Sequence, residues 1–359
     1  MKIKIIQPGM LTTVQDVGRW GFQGKGMPVA GAMDLFALKI GNVMVGNNKD
    51  AACLEVTVLG PTLSVLEGEG AVVVTGADLG FSINGIASCC NTVYKVKEGD
   101  ILSFSGMKGN GCRAYVVFSG GIDVPIIMGS RSTYLRAHIG GFDGRALVKG
   151  DVLNTGEPHI LWQRFIDFKC PSDVLLERRE GQPLRVVLGP QNDAFSPKGV
   201  ETFLSESYKI TDSADRMGYR LEGPVVEHLE GADIISDAIP LGSIQVPGHG
   251  QPIVMLADRQ TTGGYTKIAV LCSPDISAIA QRLPGEKVSF KQVSFEEAVL
   301  ITQKEAGQVS KLKQNVATWI TRIPTSTIGH KSEMPVSSGT WKLTVDGHSY
   351  MVDWERIEN

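Results

Sequence analysis

The densest run of reactive side chains is Asp258-Arg259-Gln260-Thr261-Thr262-Gly263-Gly264-Tyr265, set between two apolar segments, residues 253–257 and 267–271. A carboxylate, a guanidinium and a carboxamide held between buried strands all need hydrogen-bonding partners. A ligand carrying an amide or a carboxylate supplies them; hydrogen bonds within the protein are the alternative. Gln245 lies in the preceding apolar segment and joins the same cluster. Upstream, Asp212-Ser213-Ala214-Asp215-Arg216-Met217-Gly218 sets acid and guanidinium side by side. The glycine there lets two backbones approach closely.

Three further candidates lie in the first half. Thr13-Val14-Gln15-Asp16-Val17-Gly18-Arg19-Trp20-Gly21 brings Gln15, Asp16 and Arg19 into one glycine-punctuated loop. It suits a carboxylate or amide ligand, or equally a salt-bridged turn. Asp78 follows an apolar run, residues 71–75, where it either meets a ligand or closes a turn. Arg131 opens a stretch shared with Arg136 and Arg145 among hydroxyls and glycines. Its planar fork fits a carboxylate or phosphate, and a solvated loop is the plainer reading.

The elements that must hold these residues are mostly strands. Ala71-Val72-Val73-Val74-Thr75 reads as a strand buried on both faces. Further strands are expected at 92–96, 101–104, 114–118, 185–188, 242–246, 253–257 and 267–271. Helices are few. Asp34 is placed to cap one running to about Val45, and Ser196-Pro197 to start a second. Ser273-Pro274 repeats that device, and Ser294 with Glu297 forms a capping box opening a helix of about ten residues. Gly99-Asp100-Ile101-Leu102-Ser103-Phe104 is echoed by Gly285-Glu286-Lys287-Val288-Ser289-Phe290. This echo suggests two related β domains, at 1–175 and 180–311. Residues 312–359 read as a linker, rich in Ser, Thr and Pro over 324–339, and a hairpin turning at Asp346-Gly347.

Composition excludes several function classes. The chain has 359 residues, 42% hydrophobic and 20% charged, as a soluble globular protein does. A net charge of -3 gives no basic face for nucleic acid. No apolar run is long enough to span a membrane and no signal peptide opens the chain, so the cytoplasm is the expected compartment. The six cysteines form no C-x-x-C pair and the histidines no H-x-x-x-H pair, so no metal site is expected. There is no phosphate-binding P-loop, no G-x-S-x-G elbow and no dinucleotide fingerprint after a strand.

Taken together the segments resemble the family called allophanate hydrolase subunit 2, or biotin-dependent carboxyltransferase (KipA-like). The resemblance rests on residues 13–21, 28–47, 54–63, 75–78, 120–153, 188–195, 213–224 and 236–271, in family order. Arg216-Met217-Gly218-Tyr219-Arg220-Leu221 and Asp258–Tyr265 are its most specific marks. The resemblance implies a mainly β chain of two cyclophilin-like β-barrel domains from a bacterial protein. It implies a separate KipI-like B subunit as partner. It also implies one of three activities. The first is a share, as the C subunit, in a 5-oxoprolinase that uses ATP and an A subunit to open a cyclic amide. The second is carboxyl transfer from carboxybiotin to an amide such as urea. The third is antagonism of a KipI-type kinase inhibitor. Under the first, Arg216 and Arg259 hold a carboxylate or oxyanion, Asp258 acts as base or orienting group, and Gln245 and Gln260 hold the amide. Catalysis then falls to Arg216, Asp258, Arg259 and Gln260. Substrate contacts fall to Gln15, Asp16, Arg19, Asp78, Arg131, Gln245, Thr262 and Tyr265. ATP binds somewhere in the complex, and no Met-Lys-Met follows the hairpin to carry biotin.

Overall fold

Alternating and continuous β-branched runs, broken by glycine turns, make this a protein of strands. A computed structural model describes residues 1–175 and 181–322 and the backbone of two later strands. The first half supplies β1 (Lys2–Gln7), β2 (Leu11–Gln15), β3 (Cys53–Thr57), β4 (Thr62–Glu67), β5 (Glu69–Gly76), β6 (Phe81–Ile83), β7 (Ile86–Ala87), β8 (Tyr94–Lys97), β9 (Ile101–Phe104), β10 (Arg113–Phe118), β11 (Ile122–Asp123) and β12 (Val152–Thr155). They form two sheets, β11-β12-β1-β4-β9-β6-β7 and β2-β3-β10-β5-β8. Both sheets feed one core, in which Ile3, Ile5, Leu63 and Leu102 meet Val14, Leu54, Val74 and Val116.

The period-2 alternation of strands explains why β5 and β10 read as unbroken apolar runs. Val72 and Val74 of β5, with Ala114, Val116 and Phe118 of β10, face that core. Ala71, Val73, Tyr115 and Val117 face the other way. There they meet α1 (Leu35–Met44), whose Phe36, Leu38, Ile40 and Met44 are buried. Asp34 caps α1 as its sequence predicts, its Oδ1 accepting from the Ala37 N–H at 3.0 Å.

The second half closes into a barrel, ordered β13-β20-β17-β18-β15-β14-β21. Its strands are β13 (Leu184–Leu188), β14 (Ser207–Ile210), β15 (Gly218–Glu222), β17 (Ser243–Gln245), β18 (Ile253–Met255), β20 (Lys267–Leu271) and β21 (Lys287–Gln292). The short pair β16 (Asp233–Ala238) and β19 (Thr262–Tyr265) forms a separate two-stranded ribbon. Helix α2 (Pro197–Ser205) starts as expected, with Ser196 Oγ accepting from the Gly199 N–H. Helix α3 (Ser273–Ala280) starts one residue early. Ser273 is already helical, Cys272 takes the N-cap position without a side-chain bond, and Pro274 stays within the first turn.

Helix α4 (Phe295–Arg322) departs most from expectation, at 28 residues rather than about ten. Its capping box forms, with the Ser294 N–H donating to Glu297 and the Glu297 N–H to Ser294 Oγ. The helix then runs through the expected start of the tail because Leu312 and Val316, one turn apart, are buried against the α1 side of the first half. The Trp319 indole donates to the Arg164 carbonyl at 3.1 Å. Contacts divide the chain into Met1–Ile320 and Thr321–Asn359. In the latter, β22 (Ser338–Val345) and β23 (His348–Glu355) pair antiparallel, closing at Val345 and His348 as a hairpin. The expected 324–339 linker falls almost entirely outside the described residues, as does the turn at Asp346-Gly347.

Glu305 of α4 gives the helix a pH-dependent attachment. Burial pushes its carboxyl up to about 6 from 4.5, Asp34 and Asp275 push the same way, and Lys39 opposes them. The folded state therefore holds this proton more tightly than the unfolded chain. That contribution is fully present below pH 4.5 and is lost as pH rises through about 6. Glu305→Gln is expected to match the wild type in urea midpoint below pH 4.5 and to exceed it above 6. An offset that stays constant with pH would rule this out.

Candidate functional site

The polar segments of the two halves meet around one guanidinium. Arg216 sits in the turn before β15, 6% exposed. Its Nε and Nη2 donate to the two oxygens of Asp258, at 3.1 and 2.9 Å. Nη2 also donates to the Gly31 carbonyl at 2.6 Å, and Nη1 to Glu55 Oε1. The Asp258 N–H returns a bond to the Arg216 carbonyl at 2.9 Å. Burial works against the charged form, but Asp258 and Glu55 outweigh it and hold the guanidinium protonated above its ordinary range.

Glu55 stands in the middle of β3, and its other oxygen accepts from the Tyr115 hydroxyl at 2.9 Å and the Met33 N–H at 2.8 Å. The segment that offers Gly31 lies against the Gln15–Arg19 loop, backbone on backbone. A Cβ at Gly31, where φ is +90°, would stand 2.9 Å from Gly18 Cα. Only glycine fits there without displacing the loop.

Arg259 has a different environment from its neighbour. It is also 6% exposed. Its Nε donates to the Ile239 carbonyl at 2.8 Å and its Nη1 to the Leu256 carbonyl at 3.2 Å. Burial pushes its guanidinium down to about 10, and no carboxylate counters that. Arg19 is fully buried. It donates to the carbonyls of Ile127 and Ser132, and its Nη1 has no partner. Burial lowers its proton affinity against the pull of Asp16 and Asp258, which places Arg19 within electrostatic reach of Asp258. Gly140 leaves the room Arg19 needs, since a Cβ there would stand 2.6 Å from Nη2. Burial, and then the charge of Asp258, raise the Tyr134 hydroxyl. Asp258 is thus bonded by Arg216, and its charge is felt at Arg19 and Tyr134 on two other stretches of chain.

The remaining expected residues divide. Gln245 is buried, donating to the Tyr265 carbonyl at 3.3 Å. Gln260 Oε1 is buried without a partner, and so is Gln15 Oε1. Thr262 and Tyr265 are exposed on the β16–β19 ribbon. Asp16 is spent on the protein, accepting from Gly18 N–H, Ser130 and Ser132 hydroxyls and Arg131 N–H. Arg131 turns its side chain to the Val124 carbonyl and Asp123. Asp78 is exposed and closes its own turn by accepting from the Gly80 N–H. Asp78 and Arg131 are thus bonded within their own loops, and Asp16 ties its loop to residues 130–132.

Sequence reasoning passed over Glu55, Tyr134 and Lys267. A lone acid inside the apolar β3 and a lysine heading the apolar run of β20 were the available signals. A buried charge in a strand requires a partner.

Comparison with known proteins places the chain in a family. A family model described as "Carboxyltransferase domain, subdomain A and B" matches residues 25–292, and the chain belongs to that family. It is 36% identical over 303 residues to the C subunit of 5-oxoprolinase from Escherichia coli, covering 84% of this chain and 95% of that protein. It is 34% identical to the C subunit of 5-oxoprolinase from Haemophilus influenzae, over 88% of this chain and 98% of that one. Among solved structures, the urea amidolyase of K. lactis superposes with a TM-score of 0.79 at 29% identity, covering 87% of this chain and 20% of that one.

The two buried arginines are expected to respond unequally to removal. Arg216→Met strands Glu55 and Asp258 without their cation and should cost about 3–5 kcal/mol in denaturant unfolding. Arg259→Met strands no carboxylate and leaves only the Ile239 and Leu256 carbonyls without that donor, so a smaller loss of about 1–2 kcal/mol is expected. Equal losses in the two variants would contradict this division.

Proposed function

We propose that the chain is the C subunit of an ATP-dependent 5-oxoprolinase. It acts with a KipI-like B subunit and an A subunit to open 5-oxoproline to glutamate, in the cytoplasm. The observation that carries this reading is extent: the chain aligns with 95% of the Escherichia coli C subunit and with 20% of the urea amidolyase structure. No helix among the described residues is long and apolar enough to cross a membrane.

In this reading the amide lies where Asp258, Arg259 and Gln260 diverge. Asp258 has both oxygens fixed by Arg216, and a carboxylate has about four lone-pair sites, so it retains acceptor capacity for an amide N–H. Arg259 is a cation held by two carbonyls with no carboxylate to neutralise it. It suits the negative charge that develops on an amide oxygen during ring opening, and water exclusion strengthens that interaction. Gln260 offers an unpartnered acceptor and Gln245 a donor. Arg216 serves as a positioning residue. Nucleotide chemistry is assigned to the complex, and the roles given to these residues do not depend on it.

The description of the family model keeps a second reading, carboxyl transfer to an amide. One experiment separates the two. The complex reconstituted with both partner subunits is assayed for ATP-dependent glutamate release from 5-oxoproline, and separately for carboxyl transfer from carboxybiotin to urea. Glutamate release is expected. Arg259→Lys keeps the charge but loses the fork, and should lower kcat roughly 100-fold or more with assembly intact by gel filtration. Full activity in that variant would remove Arg259 from the reaction.

A further inference from the structure

Lys267 heads β20 and is 1% exposed. An ammonium has three donors and loses its hydration on burial, so a buried lysine needs acceptors. Among the described residues its Nζ is held by one ion pair, to Oδ2 of Asp237 on β16, 3.1 Å away. Asp237 is exposed, and the Lys267 ammonium holds its carboxyl below the usual carboxylate range. Gln191 donates to the same oxygen at 3.4 Å and accepts from the Lys267 backbone N–H at 3.3 Å. The pair thus joins a sealed cation to a carboxylate on the surface of a two-stranded ribbon.

Lys267 also adjoins the candidate site. It is the ladder partner of Gln245 across β17 and β20. Paired side chains in an antiparallel ladder start on one face, about 5 Å apart. Gln245 Nε2 and Gln260 Nε2 stand 3.1 and 3.5 Å from where a Cβ at Gly263 would be. Gly263 thus keeps open the space between the two carboxamides, and the buried Gln260 Oε1 without a partner lies beside it.

The geometry points to a carboxylate subsite at Lys267, held in this structure by the Asp237 carboxylate, that takes the carboxylate of an acid-bearing amide while Gln245 and Gln260 face its amide group. The identity of the ligand rests on the proposed function; the preference for an anionic over a neutral amide does not. 5-Oxoproline carries a carboxylate one carbon from its lactam nitrogen. Urea carries none. Binding exchanges one carboxylate for another on the same ammonium, so Asp237 acts as an internal competitor.

The test measures binding and turnover in the reconstituted complex with 5-oxoproline and with 2-pyrrolidinone, the same lactam without the acid. Wild type is expected to bind 5-oxoproline roughly 10- to 100-fold more tightly than 2-pyrrolidinone in calorimetry. Lys267→Met should abolish that preference by weakening the acid alone, raising KM far more than it lowers kcat. Asp237→Asn should tighten 5-oxoproline and leave 2-pyrrolidinone unchanged. Equal effects of Lys267→Met on both lactams, or a preference that survives it, would overturn the subsite even with 5-oxoproline turnover intact. A preference lost in Lys267→Met in a complex that never releases glutamate would uphold the subsite and remove the proposed reaction instead. Should Lys267→Met fail to assemble, Asp237→Asn decides: no change in 5-oxoproline affinity rejects the subsite.

Discussion

The guanidinium of Arg216 is the constraint on which the two halves depend. It lies between Glu55 of the first half and Asp258 of the second, and also holds the Gly31 carbonyl. Taking three ionised groups out of water is costly, and the arrangement survives only because almost every polar atom in it is matched. Arginine suits the position because its planar fork presents donors in fixed directions to two carboxylates at once, which the single ammonium of lysine does not. The clamp also separates two consecutive residues. Asp258 is drawn inward to Arg216, while Arg259 is sent to the carbonyls of Ile239 and Leu256. One short loop therefore sets one charge in an ion-pair network and the next among carbonyls alone.

Other contacts across the halves reinforce the clamp. Arg113 of β10 donates to the Tyr219 hydroxyl at 2.7 Å, and Gln281 donates to Asp34 at 2.8 Å and to the Arg113 carbonyl at 3.0 Å. Met33, from the segment next to Gly31, packs into the core of the second half. The Ala30 N–H donates to the Ala257 carbonyl at 3.1 Å. Each half has its own apolar core, and hydrogen bonds and ion pairs also join them across the seam. Such a seam is specific in geometry, because a half-satisfied buried polar network is worse than none. Residues from Met1 to Ile320 form one contact unit.

Much of this was legible in the sequence where local rules govern. Strand runs, the caps at Asp34 and Ser196 and the Ser294–Glu297 box reflect periodicities and hydrogen bonds within a few residues. The polar cluster around Asp258 was visible because charge between apolar strands is conspicuous. What escaped depends on partners distant in sequence. Glu55 pairs with a side chain 161 residues away, and nothing local distinguishes it from a solvated acid. Arg216 looked like a ligand-holding group because its residue type suits one, yet its donors are taken by the fold. The length of α4 was hidden for a similar reason. Its surface is polar on most sides, and only a distant apolar face makes Leu312 and Val316 worth burying. Asp78 and Asp16 looked equally suited to ligands and to turns, and hydrogen bonds to nearby backbone and hydroxyls claim both.

Helix α4 has a consequence for how the chain is made. Although it follows the barrel in sequence, its Leu312 and Val316 complete the apolar layer over α1 in the first half. On a ribosome, the first half therefore emerges with one face of its five-stranded sheet incompletely covered. It stays so until the whole barrel has been synthesised, since domains otherwise tend to fold as they appear. Closing that layer joins residues far apart in the chain, the kind of pairing that slows folding. The exposed intermediate is the species for which a nascent-chain chaperone would have the most to bind.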